Sequence, residues 1–142
     1  MAFNDDLIAQ LRKNHGVITE GPFTGRDLLV LTTTGASSGH PRSHPLAYTR
    51  DGDKYLVIAS MGGAPTHPAW YHNLRKHPEV TVEVGPEKFR AKATAFARGP
   101  ERRRLYDQHA AINPGFKEYE QKTTREIPAV LLERLPDERV TS

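Results

Sequence analysis

Two consecutive segments in the middle of the chain alternate polar and apolar residues, and this pattern constrains the fold more than any other feature. Residues 79–84 (EVTVEV) place three valines on one face, and residues 87–97 (EKFRAKATAFA) place Phe89 and a series of alanines on one face. The pair Gly85-Pro86 separates the two segments. A period of two is typical of strands that bury one face. The pattern therefore predicts two strands on either side of a turn, with one side of their sheet against a core.

The flanking segments predict further elements. Strands are expected at 28–34, 42–50, 54–60 and 127–134, and helices at 3–13, 67–77, 100–112 and 114–122. Pro45 restricts part of its strand to a sheet edge or a bulge, because proline cannot donate to a ladder. The order of elements differs from the repeated βαβ units of a Rossmann layout. It favours an α+β fold, in which mostly antiparallel strands form a barrel or curled sheet with inserted helices.

The length of 142 residues predicts one globular domain. Within it, residues 1–26 are expected to form an N-terminal helix and an irregular segment, because a short apolar stripe precedes a turn-rich stretch. Residues 27–142 are expected to form the barrel.

Composition excludes several classes of function. The chain has no cysteine, which excludes disulfides, thiolate zinc sites and iron–sulfur clusters. No apolar run reaches the ~18 residues that a membrane-spanning helix needs. The net charge of +3, from 20 basic and 17 acidic residues, is not concentrated as in a nucleic-acid binder. We expect a cytoplasmic protein that contacts no nucleic acid and has no integral membrane segment, and we leave peripheral membrane contact open.

A Gly/Ser-rich loop follows the strand at 28–34. Residues 34–42 (TGASSGHPR) combine two glycines, two serines and a terminal Arg42. Glycines allow backbone N–H groups to turn toward a ligand, and an arginine fork fits a phosphate. The loop matches neither a Walker A sequence nor G-x-G-x-x-G. An ordinary turn and an anion-binding loop both remain open at this stage.

A second candidate segment is 60–73 (SMGGAPTHPAWYHN), where a strand ends, two glycines expose backbone and a helix begins. Bare backbone lets a flat ring lie close to the chain, and a helix N-terminus favours an anion. Trp70 and Leu74 are four residues apart and could simply pack the helix on the sheet.

The remaining polar clusters favour plainer interpretations. His67, His72 and His77 are five residues apart, so a helix rotates them off a common face, and no metal site is expected. The run Arg102-Arg103-Arg104 is expected to be a solvated helix face rather than a binding patch. Lys88, Arg90 and Lys92 share one strand face and could line a groove for an anionic tail.

Three motifs occur together in order: T-T-T-G-x-x-S-G-x-P-R from Thr32, S-x-G-G-A from Ser60 and P-x-W-Y-x-N-L from Pro68. With them, the stretch from about Asp27 to Arg134 resembles the deazaflavin-dependent nitroreductase family, within the split β-barrel flavin/deazaflavin oxidoreductases. The resemblance implies a split β-barrel that binds coenzyme F420, an 8-hydroxy-5-deazaflavin with a phospholactyl-polyglutamate tail. It also implies that the reduced cofactor delivers a hydride to a quinone, an activated enone or a nitroaromatic compound.

The resemblance also implies site residues. The tail phosphate would meet Ser38, Gly39 and Arg42, supported by Asn73, and the ring would lie over Ser60, Met61, Gly62 and Gly63. Segment 113–119 and the helix that carries Ala69 and Trp70 would close the acceptor pocket. Ser60 and Tyr119 are the candidate catalytic residues.

This chain departs from the family pattern at two places. Basic residues common in the family after T-T-T-G and after the family serine are Ala36, Ser37 and Met61 here, which lowers the expected affinity for a long polyglutamate tail. The tyrosines of the nitroreductase pocket correspond to Asn113, Phe116 and Tyr119, so only Tyr119 keeps a phenol. We therefore expect weak activity on nitroimidazole compounds.

Two alternatives to an F420-dependent reductase remain at this stage. An FMN-dependent oxidoreductase on the same barrel is one, because flavin and deazaflavin rings have similar shapes. A non-catalytic deazaflavin-binding protein is the other. Monomer and homodimer are both open.

Overall fold

The computed structural model describes residues 2–19, 21 and 27–136. Within these residues the chain forms four α-helices, one 3₁₀ turn and seven strands. In chain order they are α1 (Ala2–Lys13), β1 (Leu28–Thr34), β2 (Pro41–Ala47), β3 (Thr49–Asp51), β4 (Lys54–Ile58), the 3₁₀ turn (Met61–Gly63), α2 (Ala69–Lys76), β5 (Glu79–Val84), β6 (Glu87–Phe96), α3 (Pro100–Ile112), α4 (Gly115–Gln121) and β7 (Ala129–Arg134).

All seven strands belong to one curled antiparallel sheet in the order β2-β1-β5-β6-β7-β4-β3. The alternating segments form its central hairpin, in which Val84 pairs with Glu87 and Glu79 with Lys92. The inward residues Val80, Val82 and Phe89 are buried, as the alternation predicts. The predicted α+β fold with antiparallel strands and inserted helices is confirmed.

The prediction of a single strand over residues 42–50 is wrong. The chain leaves the ladder at Tyr48 and forms two strands that pair with different partners, β2 with β1 and β3 with β4. These two strands end up at opposite ends of the strand order. Pro45 lies in β2 opposite Val30, and β2 is an edge strand, the position in which a missing N–H costs least.

Helices cover the sheet on two sides. Trp70, Tyr71 and Leu74 of α2 pack into a cluster formed by inward residues of β1, β4, β5, β6 and β7. A second cluster joins Leu105, Tyr106 and Ala110 of α3 to residues of β4 and β7. Residues Leu7, Ile8 and Leu11 of α1 pack with Ile18, Leu28 and Val30 in a third cluster. None of the helices within the described residues is long and apolar enough to cross a membrane.

The expectation of a solvated Arg102 is wrong. Only 6% of Arg102 is exposed. Its Nε donates to the carbonyl oxygen of Ile127 at 2.8 Å, and its Nη2 donates to Glu120 Oε2 at 3.0 Å. The side chain therefore joins α3 to α4 and to the segment before β7, whereas Arg103 and Arg104 are exposed as expected.

Some sequence-based predictions lie outside the described residues. These are positions 20 and 22–25 of the irregular segment, residues 137–142 of the barrel domain and the side chain of Phe3. The division into residues 1–26 and 27–142 stays a prediction.

Candidate functional site

The loop after β1 closes on itself through backbone hydrogen bonds. The N–H of Gly35 donates to the carbonyl of His40 at 2.8 Å, and the N–H of Gly39 donates to the carbonyl of Gly35 at 2.9 Å. The Oγ of Ser38 accepts the N–H of His40 at 3.1 Å. A Cβ on Gly35 would lie 2.5 Å from that Oγ and 3.2 Å from the carbonyl oxygen of His40, so a larger residue there would displace the Ser38 side chain from this bond. Ser38 and Gly39 are exposed at its tip.

Helix α2 fixes the position of this loop. The Oδ1 of Asn73 accepts the N–H of Ala36 at 2.9 Å, and its Nδ2 donates to Thr33 Oγ1 at 3.1 Å. The Nζ of Lys76, three residues on, donates to the carbonyl of Ala36 at 2.9 Å. Sequence reasoning did not identify Lys76, although its i,i+3 spacing from Asn73 places both on one helix face.

A cavity of about 530 Å³ opens between the loop and α2, and we call it the loop cavity. Its lining includes Ser38, Arg42 and Asn73 of the predicted site, together with Gly35, Ala36, Ser37, His44, Ala69 and His72. The guanidinium of Arg42 is exposed and donates to the carbonyl of Pro41 at 3.3 Å. Among the described residues it has no carboxylate partner, and Asp51 pairs with Arg104. The loop cavity therefore presents a positive charge that an anion can approach.

A second cavity of about 480 Å³ lies between the 3₁₀ turn, β2 and α4, and we call it the apolar cavity. Its lining is His44, Pro45, Leu46, Ala47, Ile58, Ser60, Met61, Pro68, Ala69, Trp70, Phe116 and Tyr119. His44 and Ala69 line both cavities, so the two cavities adjoin at these residues, and we call them together the groove. The groove has a basic, hydroxyl-rich end and an apolar end with few polar groups, an arrangement typical of small-molecule sites.

The backbone at the 3₁₀ turn is strained. Met61 has a φ of 47°, a left-handed conformation that a residue with a side chain rarely adopts, and 57% of Met61 is exposed. Gly63 has a φ of 86°, which glycine adopts without cost. Such conformations persist only where the surrounding structure enforces them, and they cluster at ligand sites. Ser60, just before the turn, is buried.

Helix α4 forms the opposite wall. The rings of Phe116 and Tyr119 contact edge to face, with 5.1 Å between their centroids. Phe116 contacts the buried imidazole of His109 in the same way, with 4.4 Å between the ring centroids. The hydroxyl of Tyr106 donates to the carbonyl of Phe116. The structure brings Tyr119 and Phe116 to the apolar cavity, whereas Asn113 is outside its lining.

Trp70 lies both in the core and at the cavity. It is buried in the core cluster with Leu74, and it also lines the apolar cavity. Lys88, Arg90 and Lys92 are exposed on β6 and are absent from the lining of both halves of the groove, and Arg90 pairs with Glu79 at 2.7 Å. Across the described residues, no group of three or more histidine and acidic side chains is placed to hold a metal.

His44 lines the candidate site, where sequence reasoning did not place it. It is half-buried at the junction of the two cavities, and its Nδ1 is buried without a hydrogen-bond partner within the described part of the chain. Burial lowers the pKa of His44, and the charge of Arg42 lowers it further. Only the position of β2 beside α2 shows that this imidazole lies in the groove.

The groove fits an elongated cofactor that has an anionic tail and a flat ring. The unpaired Arg42 guanidinium suits a phosphate at the loop end. The apolar walls and the orphaned His44 Nδ1 suit a ligand with both a ring and hydroxyl groups at the other end.

Comparison with known proteins agrees with the interpretation of the groove as a cofactor site. The profile of the F420H(2)-dependent quinone reductase family matches residues 6–134. An F420H(2)-dependent quinone reductase of Mycobacterium tuberculosis is 43% identical over 108 residues, which cover 75% of this chain and 72% of that protein. A solved structure of an F420-H2-dependent reductase, FDR-A, is 36% identical with a TM-score of 0.68, covering 75% of this chain and 93% of that one.

Another solved structure, described as a domain-swapped dimer, is 32% identical with a TM-score of 0.70 and covers 91% of this chain and 95% of its own. The FMN alternative finds no support among the F420-dependent relatives. These relatives confirm the resemblance drawn from the three motifs, and they place the chain in a narrower family than the nitroreductase label does. With its split β-barrel fold and its groove, the chain belongs to the F420H2-dependent quinone reductase family and is an F420H2-dependent reductase.

Proposed function

We propose that this chain catalyses the reduction of a quinone by F420H2, with the cofactor lying along the groove and the acceptor bound between the 3₁₀ turn and α4. The observation that carries the proposal is that the loop cavity and the apolar cavity adjoin at His44 and Ala69. A ligand with a charged tail and a flat ring can occupy both ends at once.

The loop end would bind the tail phosphate. Ser38 and Gly39 are exposed at the tip of the loop, and Ser38 and Arg42 line the loop cavity, whereas Gly39 is outside its lining. An arginine fork forms two charge-assisted hydrogen bonds to a phosphate. Asn73 and Lys76 hold the loop from behind through Ala36, so their part is to orient it. A single unpaired guanidinium in this cavity favours a short polyglutamate tail over a long one.

The apolar end would bind the ring and the acceptor. The backbone of Ser60 to Gly63 would contact the ring, which when bound in its reduced form supplies the hydride. Ile58, Trp70 and Phe116 exclude water from the place of transfer. The hydroxyls of Ser60 and Tyr119 are the candidate donors to an acceptor oxygen, because both residues line this cavity. A quinone that takes up one hydride and one proton leaves as the hydroquinone.

The residues of α4 that line the apolar cavity favour a quinone over a nitro compound as acceptor. Phe116 presents an apolar ring where a phenol would offer a hydrogen bond to a nitro group, and Tyr119 is the one phenol in the lining. Enones share the carbonyl oxygen of a quinone and form the second acceptor class to be compared. We expect nitroimidazole turnover to be weak and to rise in Phe116→Tyr.

The experiment uses the full chain with F420H2, FMNH2 or NADPH as donor and menadione, cyclohexenone or a nitroimidazole as acceptor. We expect menadione-dependent return of the absorbance of oxidised F420, with no comparable rate from FMNH2 or NADPH. Tight stoichiometric FMN binding without F420 binding would overturn the proposal. Binding of F420 with no turnover of any acceptor would instead indicate a non-catalytic deazaflavin-binding protein.

Location and assembly are further parts of the proposal. We place the protein in the cytoplasm, with peripheral contact at the membrane where a lipid-soluble quinone is the acceptor. Cell fractionation tests the location. Light scattering on the purified chain distinguishes a monomer from a homodimer.

A further inference from the structure

Arg125 lies between α4 and β7 and has no role in the function described so far. It is half-buried, and its side chain bonds one short segment at four points. Its Nε donates to the carbonyl of Ala64 at 2.9 Å, and its Nη2 donates to the carbonyls of Ser60 at 2.8 Å and Ala59 at 3.2 Å. Its Nη1 is 2.7 Å from the Nδ1 of His67.

These bonds hold the segment that faces the ring, residues 59–64. That segment has few hydrogen bonds of its own, from the N–H of Gly63 to Ser60 and from the N–H of Ala64 to Met61. It also contains the strained Met61. Among the described residues Arg125 has no carboxylate partner, so backbone carbonyl dipoles stabilise its charge. A planar guanidinium offers five N–H donors in fixed directions, enough for the three carbonyls and the imidazole together, whereas a lysine ammonium has three donors on a flexible stem.

The same segment touches α4. A Cβ on Gly63 would lie 3.0 Å from Lys122 Cβ and 3.1 Å from the carbonyl oxygen of Tyr119, so the 3₁₀ turn contacts the end of α4 directly. Arg125 follows α4 by four residues. The wall that carries Ser60 and the wall that carries Tyr119 are thus joined at two places, once by backbone contact and once by Arg125.

We propose that Arg125 is a positioning residue that locks segment 59–64 to the end of α4 and so sets the spacing between the cofactor wall and the acceptor wall. This proposal rests on the proposed function, because that function assigns one wall to the cofactor and the other to the acceptor. The locking itself is a property of the apoprotein and can be measured without a ligand.

His67 makes this lock sensitive to acid. Its Nδ1 can accept from Arg125 only while the imidazole is neutral, with its proton on Nε2. Protonation would remove the bond and place two cations side by side. The groups that face His67 are Arg125 from the segment after α4 and Tyr71, His72 and Arg75 from α2. Burial lowers the pKa of His67, and Arg125, His72 and Arg75 lower it further.

The first test compares Arg125→Lys with Arg134→Lys, whose arginine pairs with Glu87 and lines neither cavity of the groove. Fluorescence titration with oxidised F420 gives the dissociation constant, and hydrogen exchange follows the amides of Gly63 and Ala64. We expect Arg125→Lys to raise the dissociation constant for F420 about tenfold and the KM for menadione by a similar factor. We also expect faster exchange at the two amides, with unchanged exchange in β5 and β6 and no change in the Arg134→Lys variant.

The second test uses His67→Gln, whose amide oxygen can still accept from Arg125 but does not titrate. Wild type should lose F420 affinity as pH falls through the lowered pKa of His67, while His67→Gln should keep it. This variant also serves if Arg125→Lys does not fold.

The outcomes separate the two proposals. Unchanged exchange at Gly63 and Ala64, together with an F420 dissociation constant within about twofold of wild type, overturns the role of Arg125. An equal loss of F420 affinity at low pH in wild type and His67→Gln overturns the role of His67. If wild type does not bind F420, the proposed function fails, and the exchange measurement still decides whether Arg125 locks the segment.

Discussion

Arg42 lies in the loop cavity with its guanidinium bonded to the carbonyl of Pro41. The plainer alternative for Arg42 is a surface pair with Asp51 or Asp53. Among the described residues Arg42 forms neither pair, and Arg104 bonds both carboxylate oxygens of Asp51. Loss of an arginine fork to a phosphate costs on the order of 1.5–3 kcal/mol of binding free energy. Arg42→Ala should therefore weaken F420 binding about ten- to a hundredfold, with a strong dependence on salt.

Calorimetric titration of F420 and thermal melting of the apoprotein check this prediction. Melting should hardly change, and Arg42→Lys should recover part of the affinity, since lysine supplies charge without the fork. Arg90→Ala is the matched control, because Arg90 is exposed on β6 away from the groove. An apoprotein that melts earlier with unchanged affinity would make Arg42 a structural residue.

His44 offers a second test at the residue scale. Its buried, unpartnered Nδ1 costs desolvation free energy in the apoprotein. His44→Leu removes that cost, so the unfolding free energy should stay the same or rise by about 1 kcal/mol. If the imidazole contacts the ligand, F420 affinity should fall two- to tenfold, which corresponds to about 0.5–1.5 kcal/mol. Urea unfolding and F420 titration measure the two effects, and a simultaneous loss of stability would contradict the prediction.

At the scale of elements, the contact between the 3₁₀ turn and α4 depends on Gly63. This residue combines a φ of 86° with a backbone carbonyl and a side chain close to where a Cβ would lie. Gly52, in the hairpin turn between β3 and β4, has a φ of 63° and nothing within 4 Å of a Cβ. Substitutions at the two glycines therefore distinguish the free-energy cost of backbone strain from the additional cost of steric contact.

We expect Gly52→Ala to lower the unfolding free energy by about 1 kcal/mol through backbone strain alone. Gly63→Ala should lower the unfolding free energy by about 2–3 kcal/mol, because its Cβ would also displace α4 in addition to the same backbone strain. Only Gly63→Ala should weaken F420 binding. Denaturant unfolding of both variants and F420 titration give these values, and equal costs would show that the contact with α4 is loose.

At the scale of the whole molecule, His109 links stability to pH. The residue is fully buried, its Nδ1 lies 2.8 Å from Thr49 Oγ1 and its Nε2 has no partner within the described residues. Burial lowers the pKa of His109 to about 4 from an ordinary value of 6.5. Between these values the unfolded chain binds a proton at this residue and the folded chain does not. Stability must therefore fall as pH falls through this window.

The shift corresponds to about 3 kcal/mol of unfolding free energy lost between pH ~7 and pH ~4. His109→Gln cannot titrate and should show a flatter decline, whereas His40→Gln, at an exposed histidine, should follow wild type. Urea unfolding at several pH values measures the slopes. Equal slopes for wild type and His109→Gln would show that His109 is not the source.

Local sequence signals placed most of the elements. Helix α3 begins at Pro100, a residue suited to a first turn, and ends at Ile112 as predicted. Strands β1 and β5 match their predicted bounds, because alternation and β-branched residues act over a few neighbours. The break at Tyr48 escaped prediction, since it depends on which distant strands β2 and β3 pair with.

The amino-acid sequence by itself determined the curled antiparallel sheet, the positions of the two candidate ligand loops and, through three ordered motifs, the family. Tertiary structure alone decided that the loops form one groove at His44 and Ala69, that Arg102 is buried, and that Arg125 bonds a segment about sixty residues away. The physical reason is the separation along the chain over which each interaction acts. Periodicity, turns and caps act between near neighbours, whereas the burial and the partner of a polar side chain depend on which distant segments surround it.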